Sequence, residues 1–469
     1  MARTVQNPTS PSHSSSPIRR PPFLPPLLWP FLTKLLLCAT LTFATCAAGL
    51  RLALTHVDAK ANCTVEERFR RATERAHRRL ASMGGVAAPV HWAGNQYIAE
   101  YLIGDPPQKA EAVIAIGSDL FWTQCSTCSP LRFRQNLPYY DPSLSSTFRA
   151  VACGDAACAV ASAGGETQCS GKGNTECSVV SSYGGGVVAG GLATEQFTFG
   201  SSEKVSLAFG CVSASTLRPS SLEGSSGVIG LGRGALSPVS QLGDTRFSYC
   251  LAPYFRGAAV NQSHLFIGGA AALSGGAPVT SVPFVENPKV EPYSTYYYLP
   301  LAGITVGKAR LDVPAAAFEL REVRPGKWAG TLIDSAYPFM SLVDVAHRAL
   351  TAELAAQLGS GLVPPPANVS KNLELCVARG DVGGLVPPLV LHFGGDGGGS
   401  DVVVPPENYW APVDKATACM LVFSAARPNA KLPMNETTVI GNFMQQNMHL
   451  LYDLGNGELS FQPADCSSM

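Results

Sequence analysis

Two stretches decide how this chain is read: Glu111-Ala-Val-Ile-Ala-Ile-Gly-Ser-Asp-Leu-Phe-Trp-Thr-Gln-Cys125 and Gly330-Thr-Leu-Ile-Asp-Ser-Ala-Tyr337. Each is a short apolar run that ends in small residues, the pattern of a buried strand feeding a tight loop. Val113-Ile-Ala-Ile-Gly-Ser parallels Thr331-Leu-Ile-Asp-Ser-Ala, and Val228-Ile-Gly-Leu-Gly parallels Val439-Ile-Gly-Asn-Phe. A chain that repeats a strand, a turn and then an apolar pair followed by Gly is duplicated. We therefore expect two pseudo-twofold lobes with a cleft between them.

Composition agrees with an all-β body. The 469 residues include 46 Gly and 36 Pro but only 14% charged residues, which leaves few long amphipathic helices and many turn signals. Strands are expected at Tyr97 to Ile103, Val113 to Ile116, Gln196 to Phe199, Val205 to Phe209, Tyr296 to Leu301, Leu389 to Phe393 and His449 to Tyr452. Only Val343 to Leu358 reads as a long helix. Lys+Arg and Asp+Glu both number 34, so no excess charge exists to hold nucleic acid or an acidic membrane surface.

The N-terminal region reads as targeting. Arg19 and Lys34 precede the apolar run Leu35 to Ala44, and small residues follow, which predicts a signal peptide over 1–48 cleaved near Ala48. Lys34 and the prolines around Pro30 leave too little apolar length for a bilayer span of roughly 20 residues, so no membrane attachment is expected after cleavage. Residues 49–90 then hold a basic helix, Thr64 to Leu80, capped by Thr64 and Glu67 and rich in Arg68, Arg70, Arg71, Arg75, Arg78 and Arg79. It is either a removable pro-segment masking an acidic cleft or a solvated linker helix. The lobes follow as 91–290 and 291–469.

Fourteen cysteines, eleven of them after residue 90, fit an oxidising compartment, and no Cys/His spacing resembles a metal site. Sequons at Asn261, Asn368 and Asn435 are candidate glycan acceptors there. Secretion is expected, with the vacuole as the other destination.

The quoted stretches resemble the two active-site motifs of pepsin-like aspartic peptidases of the plant nepenthesin type. Gly104-Asp-Pro-Pro-Gln108, Phe209-Gly-Cys211, Gly230-Leu-Gly-Arg233, Phe247-Ser-Tyr-Cys250 and Ile440-Gly-Asn-Phe443 extend the likeness over nearly everything after residue 95. The resemblance implies the all-β, bilobed pepsin-like fold, no cofactor and no metal. It also implies a pair of catalytic aspartates, of which Asp334 is kept and the other is replaced by Ala115. Ile116, Ala336 and Tyr337 depart from the motifs as well; Ile116 lacks the hydroxyl that braces the loops, and Ala336 stands for a Gly that permits positive φ. Asp119 stands where the family commonly has a second Asp, and so should point elsewhere.

By the same resemblance Tyr183 is the flap tyrosine, Trp122 the aromatic its hydroxyl contacts, and Gly117, Ser118 and Ser335 line the substrate cleft. Cys376 should pair with Cys419. Leu131 stands where the family has a third Cys after Cys128, so one first-lobe cysteine should stay single.

The chemistry needs two carboxylates sharing one proton: the ionised member activates a water and the protonated one polarises the peptide carbonyl. A methyl at 115 does neither. The preferred reading is a catalytically inactive homologue, a monomer that keeps a peptide or protein ligand in its cleft. The alternatives are an active or residually active acid endopeptidase and a secreted structural glycoprotein.

Overall fold

Period-two alternation carries the chain into sheets. In Leu50–His56 the leucines at 50, 52 and 54 are buried while Arg51, Ala53 and Thr55 face outward, and Leu389–Phe393 alternates in the same way. The computed structural model describes residues 49–60, 64–71, 97–126, 131–163, 167–170, 173, 175–183, 186–200, 204–218, 222–255, 263–367, 373–394, 399–427 and 430–469. The signal reading of 1–48 and the sequons at Asn261 and Asn368 lie outside them, whereas Asn435 is half-buried in the 3-10 turn Met434–Glu436.

One fifteen-stranded sheet joins both halves of the chain. Its path runs through Thr280–Pro283, Glu458–Pro463, Met448–Asp453, Arg246–Cys250, Ser263–Ile267, Leu50–His56, Tyr97–Ile103 and Gln108–Ala115. It continues through Gly227–Gly230, Trp122–Gln124 and Lys204–Ser215 to the hairpin of Gly186–Thr198 and Glu176–Tyr183. The halves meet where Phe247 pairs with Tyr452 and Tyr249 with Leu450. The second half also builds its own five-stranded sheet from Tyr297–Tyr298, Thr331–Asp334, Thr438–Gly441, Met340–Leu342 and Val422–Ser424.

The internal repeat appears as two parallel strand pairs. Gln108–Ala115 pairs with Gly227–Gly230 so that Ala115 faces Gly230, and Thr331–Asp334 pairs with Thr438–Gly441 so that Asp334 faces Gly441. The ladders correct the register expected from sequence by one residue. Val113 lies beside Val228 as Leu332 lies beside Val439, so Val113 corresponds to Leu332 and not to Thr331. A slip of one residue exchanges the two faces of a strand, and a run apolar on both faces does not reveal it.

The expected helix is Asp344–Leu358, with Val343 as its N-cap and Ala346, His347, Leu350, Leu354 and Leu358 buried along one side. The N-terminal segment is not a solvated linker. Its strand lies between Ser263–Ile267 and Tyr97–Ile103, and the helix at 65–71 buries Phe69. Arg68 donates to the Tyr254 carbonyl at 2.5 Å and Thr64 Oγ1 accepts from the Glu67 N–H at 3.2 Å, while 72–80 lie outside the described residues.

Among the described residues ten cysteines pair: 125 with 211, 153 with 169, 158 with 177, 250 with 466, and Cys376 with Cys419 as the resemblance implies. Cys128, the eleventh after residue 90, lies outside the described residues.

Leu54 is fully buried between two neighbouring strands, so Leu54→Ala should destabilise the chain that retains its N-terminal segment by about 2–5 kcal/mol. Denaturant unfolding checks this, and an unchanged midpoint would return the segment to the role of a linker.

Candidate active site

The site forms where the two parallel pairs end. Beyond Ala115 the chain turns sharply, with the Leu231 N–H donating to the Ala115 carbonyl at 2.9 Å and the Gly232 N–H to the Ser118 carbonyl at 2.9 Å. In the second half the Asn442 N–H donates to the Tyr337 carbonyl at 2.7 Å, and Asn442 Nδ2 to the Ser335 carbonyl at 2.7 Å. A Cβ on Gly230 would meet the Ser118 carbonyl oxygen at 2.6 Å, and one on Gly441 the Phe339 oxygen at 2.0 Å, so both close approaches require glycine.

The two turns touch. The Ile116 N–H donates to Ser335 Oγ at 3.3 Å, and Ala115 and Ala336 belong to one apolar cluster with Leu120, Trp122 and Tyr183. The brace is one-sided, because Ile116 offers no hydroxyl in return and its side chain joins the main core. Asp334 is buried, and its Oδ1 accepts from the Ala336 N–H at 2.8 Å. Beneath it, Gln445 Nε2 donates to the Asp334 carbonyl at 3.4 Å, and Tyr249 bridges Gln445 Oε1 and the Tyr452 hydroxyl, each at 2.7 Å. Burial, with the charge of Asp334 nearby, pushes both phenols upward, so they stay neutral donors. Ala336 does not have positive φ, so its Cβ is carried there without left-handed backbone strain. Tyr337 is fully buried in the core.

Tyr183 ends one strand of the long hairpin. Its hydroxyl accepts from Trp122 Nε1 at 2.6 Å and lies 3.4 Å from Ser118 Oγ, with the ring centroids of Trp122 and Tyr183 5.9 Å apart. The tyrosine is buried, only 2% exposed, while Gly117 is half-buried. Val57, unforeseen from sequence, joins the cluster that holds Ala115; its neighbour Asp58 is buried and pairs with Arg71 at 3.0 Å, which reaches Glu223 at 3.3 Å. The alternation of Leu50, Leu52 and Leu54 was the signal that this segment packs.

No cofactor was expected, and the clustered sulfurs of Cys153, Cys158 and Cys169, within 4.8 Å of one another, are disulfide sulfurs and so lack the thiolates that zinc requires.

Asp119 is held in a glycine loop. Its Oδ1 accepts from the Gly234 N–H at 2.7 Å and its Oδ2 from the Thr295 hydroxyl, while a Cβ on Gly232 or Gly234 would strike the carboxylate. Burial raises its pKa to about 6; the bonds from Thr295 and Gly234 oppose this, Glu291 adds to it and Arg233 opposes it. The folded state therefore keeps a proton that an unfolded Asp releases above its usual 3.8. That stabilisation is complete below about pH 4 and lost as pH rises through 6. Asp119→Asn should flatten this loss, worth up to roughly 3 kcal/mol, in unfolding measured from pH 4 to 7.

Comparison with known proteins places this architecture. Residues 97–269 match the family model described as Xylanase inhibitor N-terminal, and 296–463 the one described as Xylanase inhibitor C-terminal. Aspartic proteinase nepenthesin-1 of Nepenthes gracilis is 32% identical over 431 residues, 90% of this chain and 91% of that one. Aspartyl protease 37 of Oryza sativa subsp. japonica is 30% identical over 484 residues, 93% and 98% of the two chains. Among solved structures, edgp aligns with a TM-score of 0.63 at 17% identity, covering 90% of this chain and 96% of that one. Basic 7S globulin from soybean aligns at 0.60 and 15%, covering 89% and 97%; both show the fold alone. With its duplicated strand-and-turn halves and two aligned family domains, the chain belongs to the pepsin-like plant aspartic-protease family, nepenthesin type.

Proposed function

We propose that this chain is a catalytically silent member of its family, one that holds polypeptide and does not cut it. A single observation carries the reading: Ala115 pairs with Gly230 as Asp334 pairs with Gly441, so a methyl occupies the place of the second carboxylate. One Asp does not act as base and proton donor at once, and removing one member of such a unit costs on the order of thousands-fold in rate.

Among the described residues the buried acids Asp119 and Asp58 do not replace it. Asp119 is committed to Gly234 and Thr295, and Asp58 to Arg71. The one-sided brace from Ile116 to Ser335 weakens the loop geometry further, and a misplacement of about 1 Å costs roughly a hundredfold. A peptide or protein ligand fits this reading, since the matched family models are named for inhibitors. The five disulfides among the described residues favour export or the vacuole; the reading adds glycans on the acceptor asparagines and a monomeric state.

The test is turnover of an unfolded protein substrate between about pH 3 and 5, the range in which a carboxylate pair holds one proton. Wild type and Asp334→Ala should both stay at background. Ala115→Asp alone should recover little, and Ala115→Asp with Ile116→Thr and Ala336→Gly should give more, pepstatin-sensitive cleavage; Tyr337 stays because it fills the core. Wild-type cleavage abolished by Asp334→Ala would show an active acid endopeptidase and overturn the proposal.

A further inference from the structure

Outside the site just described, a cavity of about 310 Å³ opens beside the second half's disulfide hairpin. That volume reaches the lower range of small-ligand sites. Its walls are aromatic: Phe255, Phe443 and Trp410, with the Phe255 and Phe443 centroids 5.3 Å apart at 84°. Its polar groups are few and differ in character. Arg379 is exposed and its guanidinium has no hydrogen-bond or ion-pair partner among the described residues, although its backbone N–H is fixed on the Ala416 carbonyl at 2.7 Å. Gln446 spends its amide nitrogen on the Tyr97 hydroxyl at 3.3 Å, which leaves its carbonyl oxygen as an acceptor, and Glu407 supplies a carboxylate.

The walls are held from behind. Tyr254, next to Phe255, is stacked on His56 with centroids 3.7 Å apart, and its carbonyl accepts from Arg68. Phe443 is wedged against Phe339 at 6.3 Å. A preformed aromatic slot with one unpaired cation at its edge binds without first ordering its own lining.

We propose that this cavity is a binding site for an aromatic ring bearing a carboxylate, the chemistry of a peptide's C-terminal aromatic residue or of a small aromatic acid. The ring enters between Phe255, Phe443 and Trp410, and the carboxylate meets the Arg379 guanidinium in charge-assisted hydrogen bonds. An amide N–H on the ligand donates to the Gln446 carbonyl or to Glu407, so the peptide terminus uses the pocket more completely than a bare acid. Glu407 also repels a carboxylate placed the other way round, which fixes the direction of entry.

Gly383 supplies a clean way to close the site. It lines the cavity, a Cβ built on it meets nothing within 4 Å, and its φ lies outside the left-handed region, so a large side chain there fills space without straining the backbone.

The probes are N-acetylphenylalanine, its C-terminal amide and phenylacetate, titrated into the full chain by calorimetry with Trp fluorescence as a second readout. Saturable binding of N-acetylphenylalanine in the millimolar range or tighter is expected. The amide should bind at least tenfold more weakly. Arg379→Gln should reproduce that loss, and Gly383→Trp should abolish binding, with thermal unfolding of both variants matching wild type. Asp334→Ala should leave binding unchanged, which separates this site from the cleft. N-acetylphenylalanine binding more tightly than phenylacetate identifies a peptide terminus, and equal binding identifies a small acid. No saturation by either acid, or an amide that binds as well as its acid, would overturn the proposal.

Discussion

The pairing of Ala115 with Gly230 and of Asp334 with Gly441 constrains everything else in the molecule. At each end a loop carbonyl passes within 2.0 to 2.6 Å of where a Cβ would sit, so the loops close only over glycine. Once they close, the backbone donors of the turns have defined partners, Leu231 on Ala115 and Asn442 on Tyr337, and the two halves meet through Ile116 and Ser335. Scaffold and site are thus the same set of contacts. A mutation that removes the chemistry need not disturb the frame, since the frame uses backbone atoms and glycines while the chemistry uses one side chain per half.

That division explains why Ala115 is compatible with an otherwise intact architecture. A carboxylate there would be buried beside Asp334, and two buried like charges raise the free energy of the folded state unless they share a proton. The methyl relieves that cost and packs with Leu120, Trp122, Tyr183 and Ala336. Active sites hold strained or repelling groups that are retained for function, and losing them stabilises the fold. Asp119 shows the contrast: it is also buried, but two donors and a glycine loop hold it, so it is retained as a fastening between the halves.

Much of this was legible in the sequence, and the exceptions have physical reasons. Tyr97–Ile103 and Leu389–Phe393 were read to the residue and Asp344–Leu358 to within one: a period of two persists through Leu389–Phe393 and one of 3.6 through the helix, while Tyr97–Ile103 is marked by its aromatic and β-branched residues. The repeat was visible but its register was not, since Val113-Ile114 and Leu332-Ile333 are apolar on both faces. Ala115, Asp334 and Tyr183 were singled out by motif likeness, whereas the hydrogen bond that fixes the buried Tyr183 hydroxyl comes from Trp122, sixty-one residues away. The partners of Arg68 and Arg71 were hidden for the same reason, because a basic run reads as a solvated face until Tyr254 and Glu223 are brought to it by the sheet.

The N-terminal segment packs into the same apolar cluster that contains Ala115. Its strand is bonded on both edges, and Arg71 bridges Asp58 and Glu223, so the segment is fastened by backbone pairing and by charge. Between those fastenings Val57 enters the apolar cluster that contains Ala115. A valine suits a methyl and suits a carboxylate poorly, because burying an ionised group against hydrocarbon costs several kcal/mol. The segment and the altered site are therefore matched in polarity. Its charged residues sit where partners exist, and its apolar residue sits in an apolar cluster.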